Sequence, residues 1–314
     1  MDEAQRKDFL RGILVDEITK TLGLKSGSLF SPVVRALTRR PVNRLTELAL
    51  DVDKELKEGS FNSAFAMLLQ LFSDPPLVSG ADLVPEKGPL LLIANHPGTV
   101  DTPALLSTVP RPDTKIISGY TPFTDSLDNL PNHLIYSTRD SFQRMSVVRE
   151  SIRHMKDGGC LLLYPAGAIE PDPAITAGAI DYTQFWHRSV EIFVKRVPGI
   201  VVSPIVVSHV LLERFYNHPI ARIRKNPRDR QRAAEMLQIV AQIINRDKHA
   251  LTPRITFGKG FTLEELQRKG EDDSLFESVK QISTDLMRDH VGRFEEDHPP
   301  LIATDKSLIV PPPE

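Results

Sequence analysis

The chain has 314 residues, 40% of them apolar, enough to bury a sizeable core, and its formal charge of -2 gives no general pull toward nucleic acid. Its one cysteine forms no internal disulfide, and no stretch reaches the roughly 18 apolar residues needed to span a bilayer. The opening Met1-Asp-Glu-Ala-Gln-Arg-Lys7 is too polar for a secretory signal, so the chain reads as cytoplasmic or peripheral on the cytoplasmic face of a membrane.

Residues 1–75 are helical in pattern, with Leu10, Ile13, Leu14 and Ile18 at helical spacing. Pro32 and Pro41 suit helix starts better than interiors, which predicts several short helices. Arg35, Arg39, Arg40 and Arg44 interleave there with Phe30, Val33, Val34, Leu37 and Leu45. Such a surface either rests on anionic lipid or is the solvated face of helices packed on their own core. Across residues 76–300, strand patterns at 90–94, 115–118, 133–137, 160–164, 200–207 and 254–257 alternate with helical ones. That alternation predicts an α/β domain, a mixed and mostly parallel sheet flanked by helices. The basic run from Arg222 to Arg232 leads into a helix expected over 229–246; it is a solvated face or a site for an acidic carrier protein or lipid head groups. A helix over 263–294, interrupted near 270–274, closes the domain, and residues 301–314 form a loose tail.

One turn carries chemistry. The apolar run Leu90 to Ala94 is followed by Asn95-His-Pro-Gly-Thr-Val-Asp101 and then by a short helix expected over 103–107. This delivers His96 and Asp101 to the carboxyl end of a strand, where open α/β sheets place their sites. A histidine takes a proton from a hydroxyl near neutral pH, and a carboxylate on its other ring nitrogen fixes the tautomer and balances the charge that forms. The alternative for Asp101 is a helix cap, and for His96 a turn residue bonded locally. No G-x-S-x-G elbow, phosphate-binding G-x-x-x-x-G-K-[ST] loop or dinucleotide G-x-G-x-x-G turn is present, and His and Cys do not gather at zinc spacing, so neither metal nor cofactor is expected. Cys160, within an apolar strand, reads as a buried small hydrophobe.

His96 and Asp101 stand as H-x-x-x-x-D, which resembles the first block of the glycerolipid acyltransferases, the family that includes glycerol-3-phosphate and lysophosphatidic acid acyltransferases. Three further segments resemble that family's later blocks in the same order: Leu134-Ile-Tyr-Ser-Thr-Arg139, Gly158-Gly-Cys-Leu-Leu-Leu-Tyr-Pro-Ala-Gly-Ala-Ile169 and Val201-Val-Ser-Pro-Ile-Val-Val207. The third departs from the family's F-P-E-G-T-R. Tyr164, Pro165 and Gly167 are kept in kind, but Ala166, Ala168 and Ile169 stand where the family has glutamate, threonine and arginine. Glu170, four residues past Ala166, is expected to point away from the site.

The resemblance implies an enzyme that moves a fatty acyl group from coenzyme A or acyl carrier protein to a hydroxyl of glycerol phosphate, a lysophospholipid or a related lipid acceptor. His96 is then the general base, Asp101 its partner, and Arg139 the ligand of an anionic head group, its fork suiting phosphate. Tyr164, Pro165, Gly167 and Gly98 line the substrate, with backbone N–H groups around Gly98 or Gly167 receiving the oxyanion. The partners implied are the acyl thioester, the lipid acceptor and a membrane touched through the N-terminal helices. The altered third block leaves an alternative from another class, a non-catalytic lipid- or acyl-carrier-binding protein that keeps the fold.

Overall fold

The computed structural model describes residues 3–21, 31–137, 141–225, 227–269 and 274–295. Three helices come first: α1 (Glu3–Thr21), α2 (Ser31–Glu58) and α3 (Phe61–Leu69). The expectation of several short helices is corrected at α2, which runs for 28 residues with Pro41 inside it. An interior proline removes one helical hydrogen bond and crowds the preceding turn, at a cost of about 3 kcal/mol. Beyond it Val42, Thr46, Ala49, Val52 and Asp53 are buried at helical spacing, and this continuous stripe outweighs the local penalty. The Asp53 carboxylate also accepts the backbone N–H groups of Asp128, Asn129 and Leu130, tying α2 to the sheet domain. Phe30, the side chains of Val33, Val34, Arg35 and Leu37, and the 301–314 tail lie outside the described residues.

The strands are β1 (Leu77–Ser79), β2 (Leu90–Ala94), β3 (Thr114–Gly119), β4 (Leu134–Ser137), β5 (Cys160–Leu163), β6 (Val201–Ser208), β7 (Arg254–Phe257) and β8 (Phe261–Thr262). They form one sheet in the order β1-β7-β6-β2-β5-β3-β4, with β8 paired to β6. The pairings are parallel except those of β6 with β7 and β8, so the sheet is mixed and mostly parallel. The expected strands fall close to the observed ones. β1 and β8, of three and two residues, are too short to show a period.

Helix α4 (Asp101–Leu106) follows β2, α5 (Pro122–Asp125) precedes β4, α6 (Ser141–Lys156) joins β4 to β5, and α7 (Ser189–Arg196) precedes β6. Between β6 and β7 lie α8 (Glu213–Tyr216), α9 (Pro219–Arg222), α10 (Pro227–Ile244) and α11 (Arg246–His249); α12 (Leu263–Lys269) and α13 (Leu275–Glu295) follow β8. Among the described residues no helix is long and apolar enough to cross a membrane.

Every residue of β2 is fully buried, because β5 and β6 flank it and both faces are covered. Leu90, Leu92 and Ala94 pack with Phe65, Leu105 and Ile243 on one face, Leu91 and Ile93 with Phe193 and Val279 on the other. Such two-sided burial gives the unbroken apolar run seen in the sequence. After β5 the chain crosses to the opposite side of β2 to form β6, so the carboxyl end of β2 sits where the strand order reverses.

Candidate active site

Asn95, the first residue beyond β2, is buried and pairs with β6 as a strand residue would. Its side-chain amide donates to the Val207 carbonyl and its side-chain oxygen accepts the Val207 N–H, at 2.9 and 2.8 Å. The ladder thus continues through a side chain while the backbone is released to turn. His96 follows, its ring about 24% exposed, with Nδ1 2.8 Å from Oδ2 of the fully buried Asp101. With Nδ1 on the carboxylate, Nε2 is the ring nitrogen left for a substrate.

Asp101 opens α4 but does not cap it; the cap position is Val100, which makes no side-chain cap bond. Asp101 instead works inward. Oδ2 accepts both His96 Nδ1 and the Gly98 N–H (3.0 Å), and Oδ1 accepts the Thr102 hydroxyl (2.9 Å) and, at 3.4 Å, that of Tyr164. Tyr164 stacks on the imidazole, ring centroids 4.3 Å apart and planes 20° from parallel. Burial holds its phenol well above the usual range, so it stays a neutral donor. Burial alone would depress the His96 pKa. The charge and hydrogen bond of Asp101, with smaller contributions from Glu235 and Glu170, more than reverse that, and the pKa is raised above 6.5.

Glu170 corrects the expectation that it points away. Gly167 holds a φ of 63°, a conformation that favours glycine, and its N–H closes a turn onto the Tyr164 carbonyl (3.0 Å). The reversal brings Glu170 back to His96. The Glu170 N–H donates to the His96 carbonyl (2.7 Å), the His96 N–H donates to Glu170 Oε2 (2.9 Å), and Trp186 Nε1 donates to Oε1 (2.8 Å). Both backbone polar groups of the histidine are therefore held by one residue. Burial pushes the Glu170 carboxyl up to about 7 against the opposing effect of those N–H groups. Ala166, in the place of the family's glutamate, is buried in the apolar cluster with Trp186 and Val190.

A third carboxyl comes from α10. Glu235 lies close against Gly98: a Cβ there would sit 2.7 Å from its Oε1, so a larger residue would have to displace the Glu235 carboxyl. Glu235 Oε2 is 3.5 Å from the Thr99 hydroxyl, and Oε1 has no hydrogen-bond partner among the described residues. Burial, reinforced by the Asp101 charge, pushes this carboxyl up to about 8, which keeps it mostly protonated at neutral pH. One turn earlier Gln231 Nε2 donates to the carbonyls of Pro97 (2.9 Å) and Glu170 (2.6 Å), joining the His96 turn to the loop after β5. Asp172 orders the exit of β6: it accepts the N–H groups of Ala174, His209, Val210 and Leu211, and burial pushes it up to about 6.

Of the residues singled out in the sequence, His96, Asp101, Gly98 and Tyr164 converge on one turn. Pro165 is buried with its carbonyl accepting the His187 N–H. The amides of Gly98 and Gly167, expected to receive an oxyanion, are both already engaged, on Asp101 and on the Tyr164 carbonyl. Arg139 lies outside the described residues. Cys160 is buried, and burial pushes its thiol up to about 12, which leaves it a poor nucleophile. His209 bonds the Ser208 hydroxyl through Nδ1 at 2.8 Å. Glu170, Gln231 and Glu235 were not legible as site residues, since each reaches the turn from a distant part of the chain or through a backbone reversal, and the pairing of Asn95 with Val207 of β6 is a tertiary contact that the turn sequence does not show.

No protein-family model matches the chain, and no curated protein matches it. Among solved structures, the 1-acyl-sn-glycerophosphate (LPA) acyltransferase PlsC of Thermotoga maritima is similar over 91% of this chain and 96% of its own, at 17% sequence identity and a TM-score of 0.44.

Proposed function

We propose that the chain is an O-acyltransferase of the glycerolipid type. The observation that carries this reading is the His96 Nδ1 to Asp101 Oδ2 bond of 2.8 Å, with the carboxylate fully buried and the imidazole partly open to solvent. A buried acceptor on Nδ1 leaves Nε2 as a base facing outward, the arrangement that removes a proton from a bound hydroxyl. In the reaction, His96 Nε2 takes the acceptor's hydroxyl proton while the oxygen attacks the carbonyl of an acyl thioester. The tetrahedral intermediate collapses, the C–S bond breaks, and the departing thiolate takes the proton from the imidazolium. The products are an ester and a free thiol, and no acyl-enzyme forms. The thioester is that of coenzyme A or acyl carrier protein, the acceptor a glycerol phosphate, a lysophospholipid or a related lipid alcohol. Arg139, from its place in the second block, binds an anionic head group of that acceptor, and the N-terminal helices are the expected membrane contact.

The test is thiol release from palmitoyl-coenzyme A and palmitoyl carrier protein against a panel of acceptors. Acceptor-dependent release is expected for the wild type and, in His96→Ala, a rate lower by about 10²–10⁴, the usual contribution of a positioned base. Release that survives in His96→Ala would sink the base assignment. A wild type that binds acyl donor yet supports release with no acceptor is instead the non-catalytic binder, the reading that Ala166 and Ile169 favour.

A further inference from the structure

The buried polar residues of α10, of which Gln231 and Glu235 reach the site, fall on one face. Gln231, Glu235, Gln238 and Gln242 are spaced by four, three and four residues, and all four are buried. Half a helical turn away lie Val240 and Ile244, 48% and 69% exposed. Exposed cations and isoleucines lie near both ends of α10. At its C-terminal end, Arg44 of α2 donates to the Ile243 carbonyl at 3.1 Å, and Arg40, one turn earlier on α2, is exposed together with Arg39. Just before its start, α9 and the residues after it present Ile220 and Ile223, 53% and 75% exposed, beside the exposed cations Arg222, Arg224 and Lys225. None of these three cations, nor Arg39 or Arg40, forms an ion pair with a described residue. Residues 219–232 hold six Lys and Arg against one acid, Asp229, in a chain whose overall charge is -2.

Isoleucines that protrude singly between unpaired cations line no groove for a peptide or helix. Their geometry suits a surface into which apolar tips sink while the cations meet phosphate at the same depth. We propose that the face built by α9, the outer side of α10 and the exposed arginines of α2 docks on an anionic lipid bilayer. The inner side of the same α10 holds the His96 turn through Gln231, so docking here sets the catalytic turn about one helix diameter, roughly 10 Å, from the lipid head groups. An acidic carrier protein is the other partner that cations of this kind attract, and Ile223 at 75% exposure argues for the bilayer, because a tip so prominent gains most by entering a fluid phase.

The test uses the full chain and vesicles, independently of catalysis. Sedimentation with phosphatidylcholine vesicles containing phosphatidylglycerol is expected to bring the protein down, pure phosphatidylcholine much less so, and added salt is expected to weaken binding. The triple variant Arg222→Ser, Arg224→Ser, Lys225→Ser is expected to lose about a hundredfold in partitioning. Ile220→Ser with Ile223→Ser is expected to lose binding as well, while Leu83→Ser, at a leucine 47% exposed elsewhere, is expected to keep it. Circular dichroism checks that each variant folds. The chain's single tryptophan, Trp186, is buried, so Ile223→Trp supplies a local reporter. Its emission is expected to shift to the blue on anionic vesicles and to be quenched by brominated acyl chains. Undiminished binding of both loop variants would overturn the proposal. So would capture by acyl carrier protein without capture by vesicles, or an Ile223→Trp emission that is already blue without lipid and indifferent to it.

Discussion

The Asp101 carboxylate is the residue on which the site's chemistry turns, because it sets both the tautomer of His96 and its proton affinity. Four donors meet its two oxygens: the imidazole, the Gly98 amide, and the hydroxyls of Thr102 and Tyr164. Two opposing effects act on the imidazole, burial lowering its pKa and Asp101 raising it, and Asp101 with its neighbours prevails. In Asp101→Asn the first effect remains and the main opposing one is gone, so the His96 pKa is expected to fall below 6.5. NMR titration of the imidazole reads this directly. On the mechanism proposed above the rate needs neutral His96, so the wild-type rate is expected to drop on acidification through a value above 6.5. In the variant that limb moves to lower pH, with a plateau reduced by as much as about 10⁴ because an amide at this position favours the wrong tautomer. An imidazole pKa unchanged by the substitution would remove Asp101 from this role. His96 and Asp101 were readable as a pair because both lie in one turn. Glu170 was not: its place beside His96 depends on the reversal at Gly167, and a four-residue displacement in sequence says nothing of direction after a backbone turn.

At the scale of elements, strands bounded by turn residues were legible, and so was the helix expected over 229–246, but the polar stripe that α10 buries was not. The sequence of α10 draws the eye to its cations and to a conventional apolar face, yet the residues that carry the site are a row of amides and one acid. The three amides satisfy backbone groups of loops that have no strand partner. Gln231 serves the carbonyls of Pro97 and Glu170; Gln238 serves the Leu212 N–H and the Val210 carbonyl; Gln242 serves the carbonyls of Phe72 and His249. A buried carbonyl deprived of its donor costs roughly 1–3 kcal/mol. Gln231→Ala and Gln242→Ala are thus expected to destabilise the fold by comparable amounts in that range, measured by urea unfolding. Their effects on turnover should differ, since Gln231 alone of the two holds the His96 turn to the Glu170 loop. A kcat loss for Gln231→Ala of at least tenfold beyond that of Gln242→Ala, at temperatures where both are folded, is expected. Equal losses would mean that α10 supports the site only through global stability. The continuity of α2 through Pro41 was hidden for a related reason: a local penalty is visible in sequence, and the tertiary burial that outweighs it is not.

Across the whole molecule, the buried ionisable groups set how stability varies with pH. Glu170, Asp172 and Glu235 have carboxyl pKa values pushed up to about 7, 6 and 8, and that of His96 is also raised. A group whose folded pKa lies above its unfolded one stabilises the fold fully below the unfolded value and loses that contribution as pH rises through the folded value. His290 opposes them. Buried between the hydroxyls of Ser208 and Thr256, it is pushed down to about 3, so its contribution is present above 6.5 and is lost on acidification. Between about 4.5 and 6 the one imidazole offsets only one of the three carboxyls, so stability already falls there as pH rises. Above 6.5 His290 is neutral in both states and no longer offsets the carboxyls, so the thermal midpoint is expected to fall as pH rises from 6.5 through about 8. Glu235 titrates last of the three carboxyls, with one oxygen lacking any partner among the described residues to compensate its ionisation. Glu235→Gln, which keeps the volume and removes the titration, is therefore expected to flatten the decline between pH 7 and 8 and to raise the midpoint at pH 8 above that of the wild type. A decline as steep in the variant as in the wild type would mean that the Glu235 carboxyl ionises without penalty and that α10 covers the turn less tightly than its hydrogen bonds to Pro97 and Glu170 require.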